Sequence, residues 1–230
     1  KKYDNLRIAA GFDISNSIKN DYPVFRSLED CDVPVDVIID FSHPAACESV
    51  LKFALKRKIP LVLATTGLSQ EQKKMAEEAS REIPIFHSAN MSLGINLLID
   101  LVKKAAKFLE SNYDIEIIEK HHNQKIDAPS GTALMLADSI NSVLEQKKNY
   151  IYDRHLQRKK RTKNEIGIHS VRGGTIVGEH SVIFAGNDEI IEINHIATSK
   201  DIFGTGALKA AMFLHGKAPG MYDMKDMLED

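Results

Sequence analysis

The chain holds only two cysteines, Cys31 and Cys47, too far apart in sequence to form a metal-type pair. They read as reduced thiols of a cytoplasmic protein rather than a disulfide framework. Long apolar runs are missing too: none approaches the roughly 20 residues that a membrane-spanning helix needs. Charge of one sign is not in excess. With 30 basic and 32 acidic side chains the net charge is −2, which gives no general attraction to nucleic acid or to an anionic membrane. The one basic run, Arg158-Lys159-Lys160-Arg161-Thr162-Lys163, lacks interleaved aromatics and reads as a solvated loop. No signal peptide is visible, although for a chain that starts at Lys1 without Met the expectation is that its natural beginning is missing. What is present, 43% hydrophobic and 27% charged residues over 230 positions, suffices for one large core or two small ones.

The first half alternates strand and helix signals. Leu6 to Ala10 reads as a short strand ending in Gly11-Phe12-Asp13, and Val35 to Asp40 as a buried parallel strand. Ser42 can cap the next helix, Pro44 suits its first turn, and Lys56-Arg57-Lys58 suits its negative end. Pro60 to Ala64 is another buried strand. Ser69-Gln70-Glu71-Gln72 is a capping box that starts a charged helix to about Glu82, and Ile83 to Phe86 is the next strand. Alternation of this kind predicts a doubly wound parallel sheet with its ligand at the C-terminal strand ends. The residues there are Asp13, Phe41, Ala64, Thr65, Thr66, Gly67, Ala89, Asn90 and Met91. An acid just past a strand suits the two ribose hydroxyls of NAD. No basic residue follows Asp13 to meet a 2′-phosphate, so NADH is expected over NADPH.

A glycine-rich phosphate loop is the next thing lacking. The G-x-G-x-x-G fingerprint should sit about 20 residues before such an acid, and only twelve residues precede Asp13 here. The expectation is an N-terminally truncated dinucleotide domain, a piece of a longer protein.

From about Ala89 the pattern changes. Ser92 to Glu110 and Ser130 to about Lys147 read as amphipathic helices, and Tyr113 to Glu119 as a strand. Glu165 to Ser170, Thr175 to Phe184 and Ile190 to Ala197 are further strands, broken by the turn signals Arg172-Gly173-Gly174 and Gly186-Asn187-Asp188. Such runs favour an open mixed or antiparallel sheet. Gly204 to Lys217 is a small-residue-rich helix.

Between these elements lies Glu119-Lys-His-His-Asn-Gln-Lys-Ile-Asp-Ala-Pro-Ser-Gly-Thr-Ala-Leu134. His121 and His122 can titrate near neutral pH and Lys125 is a compact cation. A helix opening on Ser130-Gly131-Thr132 offers backbone N–H groups and a positive dipole end to a carboxylate or phosphate. The run looks built to hold a small anion beside a general acid.

This pattern resembles the signature of the dihydrodipicolinate reductases, approximately Glu-x-His-His-x-x-Lys-x-Asp-Ala-Pro-Ser-Gly-Thr-Ala, at every fixed position. Arg172-Gly173-Gly174 with Val177-Gly178-Glu179-His180 resembles a second segment of that family, and Ala197 to Ala207 a third, with Lys200 where the family has Arg. Ala64-Thr65-Thr66-Gly67 resembles its Gly-Thr-Thr-Gly loop with one departure, at Ala64.

The resemblance implies reduction of a cyclic dicarboxylate in lysine and diaminopimelate biosynthesis, with hydride from NADH or NADPH. It implies His121 as general acid and Lys125 as catalytic cation. His122, Ser130, Gly131 and Thr132 would bind substrate, and no metal is called for. It also implies a Rossmann-like dinucleotide domain (1–90 and 204–230) that closes on a second, α+β domain (91–203) for substrate and oligomerisation. The cytoplasmic protein would be a homotetramer with no nucleic-acid or membrane partner. Two alternatives remain open: an inactive fragment or assembly protein keeping the fold, and another NAD(P)-dependent reductase with a related two-domain plan. A zinc site among His121, His122, His169, His180 and His195 matches no ligand spacing.

Overall fold

The computed structural model describes residues 3, 5–15, 19–110, 112–155 and 158–229. The chain divides into two compact units, one of residues 1–91 with 205–230 and one of 92–204.

In the first unit, β3 (Ile38–Asp40), β4 (Leu61–Leu63), β5 (Pro84–His87) and β11 (Gly220–Tyr222) form a parallel sheet in the order β11-β5-β4-β3. Period-2 side chains divide between its two faces. Leu61, Leu63 and Ile85 meet α1 (Cys47–Arg57) and α2 (Gln70–Ala79) through Val50, Leu51, Ala54, Ala76 and Ala79. On the other face Phe86 lies edge-on to Phe213 of α5 (Asp201–Leu214). Helices on both faces make the unit the expected doubly wound α/β layer.

The capping box forms as read: the Ser69 side chain accepts from Gln72 N–H, and the Gln72 side chain accepts from Ser69 N–H. Two local readings are corrected. Leu6 to Ala10 is not a sheet strand. The chain there pairs only through β1 (Gly11–Phe12) with β2 (Val24–Phe25), as a separate two-stranded ladder. With Ile8 58% exposed, that run has no sheet face to bury. The helix after β3 is entered through His43, not Ser42: His43 Nδ1 accepts from Ala45 N–H and Pro44 opens a 3₁₀ turn. The Ser42 N–H instead donates to Asp40.

The second unit is a five-stranded mixed sheet ordered β10-β9-β6-β8-β7. It comprises β6 (Asp114–His121), β7 (Asn149–Ile151), β8 (Glu165–Arg172), β9 (Gly178–Ala185) and β10 (Ile190–Ala197). β6 runs parallel to β8 and antiparallel to β9, which is the predicted open mixed sheet. α3 (Leu93–Leu109) and α4 (Gly131–Val143) cover one face. Their stripes Ile95-Leu98-Val102 and Ala133-Leu136-Ala137-Ile140 pack on Ile115, Ile117, Ile166, Ile168, Val182 and Phe184. Side chains of this size each contribute roughly 1.5–3 kcal/mol on full burial. Ser92 and Ser130 cap the two helices. Four strand and helix bounds shift by two residues or more: β6 runs on through His121, β8 runs on through Arg172, which the sequence reads as part of a turn, β9 starts at Gly178 rather than Thr175, and α4 ends at Val143.

α5 packs closest at Gly206, where a Cβ would fall 1.7 Å from the Met91 carbonyl oxygen, whereas nothing lies within 4 Å of the Cβ position at Gly204. Gly206→Ala should therefore cost about 1–3 kcal/mol or more in urea unfolding. Gly204→Ala should be neutral or gain up to about 1 kcal/mol from helix propensity. Equal effects would contradict this packing.

Candidate active site

Alternation along β6 puts Glu119 and His121 on the same face, two residues apart. Glu119 is wholly buried and His121 is 9% exposed. His121 Nδ1 lies 2.6 Å from Glu119 Oε2. Arg172, at the end of β8, donates Nη1 to Oε2 at 2.8 Å and Nη2 to Oε1 at 2.7 Å, a bidentate fork. The Ser130 backbone N–H donates to Oε1 at 3.0 Å. Burial pushes the Glu119 carboxyl up, but Arg172, Ser170, His121 and the Ser130 N–H together hold it down at about 2. Glu119 is therefore ionised at any working pH and can only accept, so Nδ1 of His121 is the donor in this pair.

His180 of β9 closes the other side. It is 4% exposed and meets His121 edge-on, with ring centroids 5.2 Å apart. Its Nε2 shares a hydrogen bond with Ser130 Oγ at 3.1 Å, and that oxygen also accepts the capping bond from Ala133 N–H. Burial first, then the nearby charge of His121, pushes His180 down to about 4, so it stays neutral. Nδ1 of His180 and Nδ1 of His195 are buried with no hydrogen-bond partner among the described residues. Gly178 faces Nε2 of His121: a Cβ there would lie 3.1 Å from that nitrogen. Glycine keeps the space in front of it open.

The loop from His122 to Pro129 is tied down from both ends. Gly173 N–H donates to His121 O at 2.9 Å, Asn123 N–H to Gly174 O at 3.2 Å, and Arg172 Nη2 to Asp127 O at 2.6 Å. Lys125 Nζ pairs with Asp127 at 2.8 Å and is close enough for its charge to be felt at His180. His122 and Thr132 are half-buried and Gly131 is exposed, whereas Ser130 is buried with both its N–H and its hydroxyl engaged. Glu119, Arg172 and His180 were not among the expected site residues. Glu119 could have been found from strand alternation with His121. Arg172 and His180 could not, because they arrive through the pairing of β6 with β8 and β9.

In the first unit the expected cofactor residues sit at or beyond strand ends. Asp13 is exposed, its Oδ1 accepting from Ser15 N–H, and it lines a cavity of about 610 Å³ together with Phe41 and Ser42. That volume falls in the range of small-ligand sites, roughly 300–1,000 Å³, and its mostly apolar wall with an acid suits a nucleoside group. Thr65 and Met91 are buried, Thr65 donating its hydroxyl to Asp40 at 2.8 Å, while Thr66, Gly67 and Ala89 are exposed. Ala64 is buried behind them and Asn90 is half-buried. No group of three or more His, Cys, Asp or Glu among the described residues is placed to hold a metal ion. No described helix is long and apolar enough to cross a membrane.

The sequence matches the family models described as dihydrodipicolinate reductase, N-terminus, over residues 2–91 and dihydrodipicolinate reductase, C-terminus, over residues 94–228. It is 58% identical over 229 residues to the 4-hydroxy-tetrahydrodipicolinate reductase of Caldanaerobacter subterraneus subsp. tengcongensis, covering 100% of this chain and 90% of that one. Its identity to the Clostridium tetani enzyme of the same name is 52% over 228 residues, covering 99% and 89%. The fold is similar to that of a dipicolinate-bound dihydrodipicolinate reductase from Paenisporosarcina sp., with a TM-score of 0.78 at 24% identity over 96% of this chain and 89% of that one.

Two buried groups, Glu119 and His180, set a pH dependence of stability. Glu119 is depressed from 4.5 to about 2, so its contribution is complete above about pH 4.5 and is lost as the pH falls toward 2. His180 is depressed from 6.5 to about 4, and its contribution is lost over that higher window. Urea midpoints should fall as the pH is lowered from about 6.5 to 4, and His180→Gln should flatten that part of the curve. An unchanged slope in the variant would show that His180 titrates normally.

Proposed function

The chain belongs to the dihydrodipicolinate reductase family, and on that premise we propose that it reduces 4-hydroxy-tetrahydrodipicolinate to tetrahydrodipicolinate. The reaction serves lysine and diaminopimelate biosynthesis. The observation that carries this reading is the buried Glu119–His121 pair beside Lys125 at the end of β6. A reduced nicotinamide, when bound, supplies the hydride.

The remaining work falls to side chains. The substrate's 4-hydroxyl leaves as water, His121 delivers the proton that balances the added hydride, and general acid catalysis of this kind is worth typically 10²–10⁴-fold. Lys125 attracts and polarises the dianionic substrate, with Asp127 holding its ammonium in place until substrate arrives. His122 and the start of α4 at Ser130, Gly131 and Thr132 take a substrate carboxylate. Gly131 and Thr132 are the members of that turn that reach the surface, and Ser130 fixes the turn from beneath.

Asp13, Phe41, the 64–67 loop and Ala89-Asn90-Met91 are the proposed cofactor contacts. Support comes from the cavity that Asp13 and Phe41 line. Asp13 is followed by Ile14, which offers nothing to a 2′-phosphate, so NADH is the preferred donor. The proposed assembly is a cytoplasmic homotetramer joined through the second unit's sheet. Support comes from Val171, Ile190 and Ile196, which are 44%, 68% and 62% exposed on the sheet face that α3 and α4 leave open.

NADH oxidation at 340 nm, with the product of dihydrodipicolinate synthase as substrate, should show turnover in the full-length protein. His121→Ala should lose 10²-fold or more in kcat. Absence of turnover in well-folded protein would shift the assignment to a binding or assembly role. A kcat/KM ratio favouring NADPH would overturn the cofactor preference. In sedimentation, Ile190→Glu with Ile196→Glu should break a tetramer into smaller species, and a monomeric wild type would refute the assembly.

A further inference from the structure

The buried carboxylate at the centre of the second unit has no place in the proton-transfer step as so far described. Groups from several elements converge on it or on its partner. Glu119 is wholly buried and takes two bonds from Arg172 and one from the Ser130 N–H, so its position is over-determined. It also accepts from the Ser170 side chain and from His121 Nδ1, the latter at 2.6 Å. On the far side of the same imidazole, Nε2 looks over the bare Cα of Gly178.

We propose that Glu119 is the positioning residue of the proton-donating step. By accepting from Nδ1, its carboxylate confines the transferable proton of His121 to Nε2, the nitrogen that Gly178 leaves uncovered. The inference rests on the reading of His121 as the proton donor.

The chemistry balances without any further reactant. Imidazolium carries one proton on each nitrogen. The Nδ1 proton stays in its bond to Glu119, the Nε2–H bond breaks as the substrate takes that proton, and neutral His121 is left as the Nδ1–H form. A fixed carboxylate behind Nδ1 also holds the ring in one orientation during transfer. Around His121 stand the Glu119 carboxylate, the Arg172 guanidinium that forks onto it and also bonds the Asp127 carbonyl, and Lys125 paired with the Asp127 side chain. His180, packed edge-on from β9, is neutral and adds no competing cation, and His195 lies beyond it on β10. Ser170 on β8 and the Ser130 N–H at the start of α4 act only on Glu119. Arg172 thus has two effects: it keeps Glu119 ionised, and it would repel His121⁺ if Glu119 were neutral.

The first test needs no variant. Nitrogen-15 chemical shifts of the wild-type histidines should show neutral His121 with a protonated Nδ1 and a bare Nε2; the opposite tautomer overturns the proposal. Glu119→Gln keeps the volume but turns an amide N–H toward Nδ1. It should lower kcat by about 10²-fold or more and reverse the tautomer. It should also move the limb at which kcat/KM falls with rising pH to lower pH by at least one unit. Unchanged kcat and an unmoved limb in folded Glu119→Gln, with His121→Ala inactive, sink this proposal and leave the reductase reading intact. Full activity in His121→Ala sinks the donor reading itself. Should Glu119→Gln fail to fold because Arg172 is left without a carboxylate, Glu119→Gln with Arg172→Met removes both charges and is read by the same pH limb and tautomer.

Discussion

A single ionised carboxylate, Glu119, holds the second unit together at the end of β6, beside the proposed proton donor. Burying it would be prohibitive if it were unpaired. The Arg172 fork and the Ser130 N–H satisfy it, and together they join the end of β8, the start of α4 and the strand that carries His121. Removing one partner from a buried pair of this kind costs about 3–5 kcal/mol, mostly because the other charge is stranded. Such a penalty makes the arrangement rigid, and rigidity is what the proposed role of His121 requires. The His122–Pro129 loop inherits that rigidity through the Arg172 bond to the Asp127 carbonyl.

The opposite face of the same sheet carries a second ionic network with a different task. Glu116 takes Arg161 at 2.9 Å, Arg154 at 3.2 Å and His169 at 2.8 Å, while Arg161 also reaches Asp114 at 2.6 Å. Arg154 pairs with Glu165, whose carboxyl the Arg154 bond holds down at about 2. This corrects the reading of the 158–163 run as a solvated loop. Lys159, Lys160 and Lys163 are exposed, but Arg161 is only 18% exposed in its side chain and is clamped onto β6. Gly167 is what admits the network, since a Cβ there would fall 1.7 Å from Glu116 Oε2. The two networks sit back to back on β6, one through Glu116 and one through Glu119, because an odd spacing along a strand puts side chains on opposite faces.

The family, the fold class and the general type of reaction were legible in the sequence because they are written in local patterns. Period-3.6 stripes in α3 and α4, the Ser69–Gln72 capping box and the β-branched run before Asp40 each depend on a few neighbouring residues. The motif from Glu119 to Leu134 is equally local. The weaker readings fall where a neighbour in space decides. Leu6 to Ala10 has the composition of a strand, yet the chain forms only the two-residue ladder that follows it, since a strand exists only where a partner edge accepts it. His43 rather than Ser42 enters the helix: His43 Nδ1 takes the Ala45 N–H, while Ser42 is tied back to Asp40 through its own N–H.

The same division runs through the candidate site. Sequence alone determined that His121 and Lys125 would share one short run ahead of a helix start. That Glu119 faces the same way as His121 follows from alternation only once β6 runs on through His121, two residues past the strand end read from the sequence. Only the tertiary structure decided what surrounds that pair. Arg172 stands 53 positions from Glu119 and reaches it because β8 pairs with β6 in the register that sets His121 opposite Arg172. His180 stands 50 positions from Ser130 and comes from β9 on the other side. Register between distant strands is fixed by how the whole sheet buries its apolar face against α3 and α4, a sum over the entire unit that no local window of sequence contains.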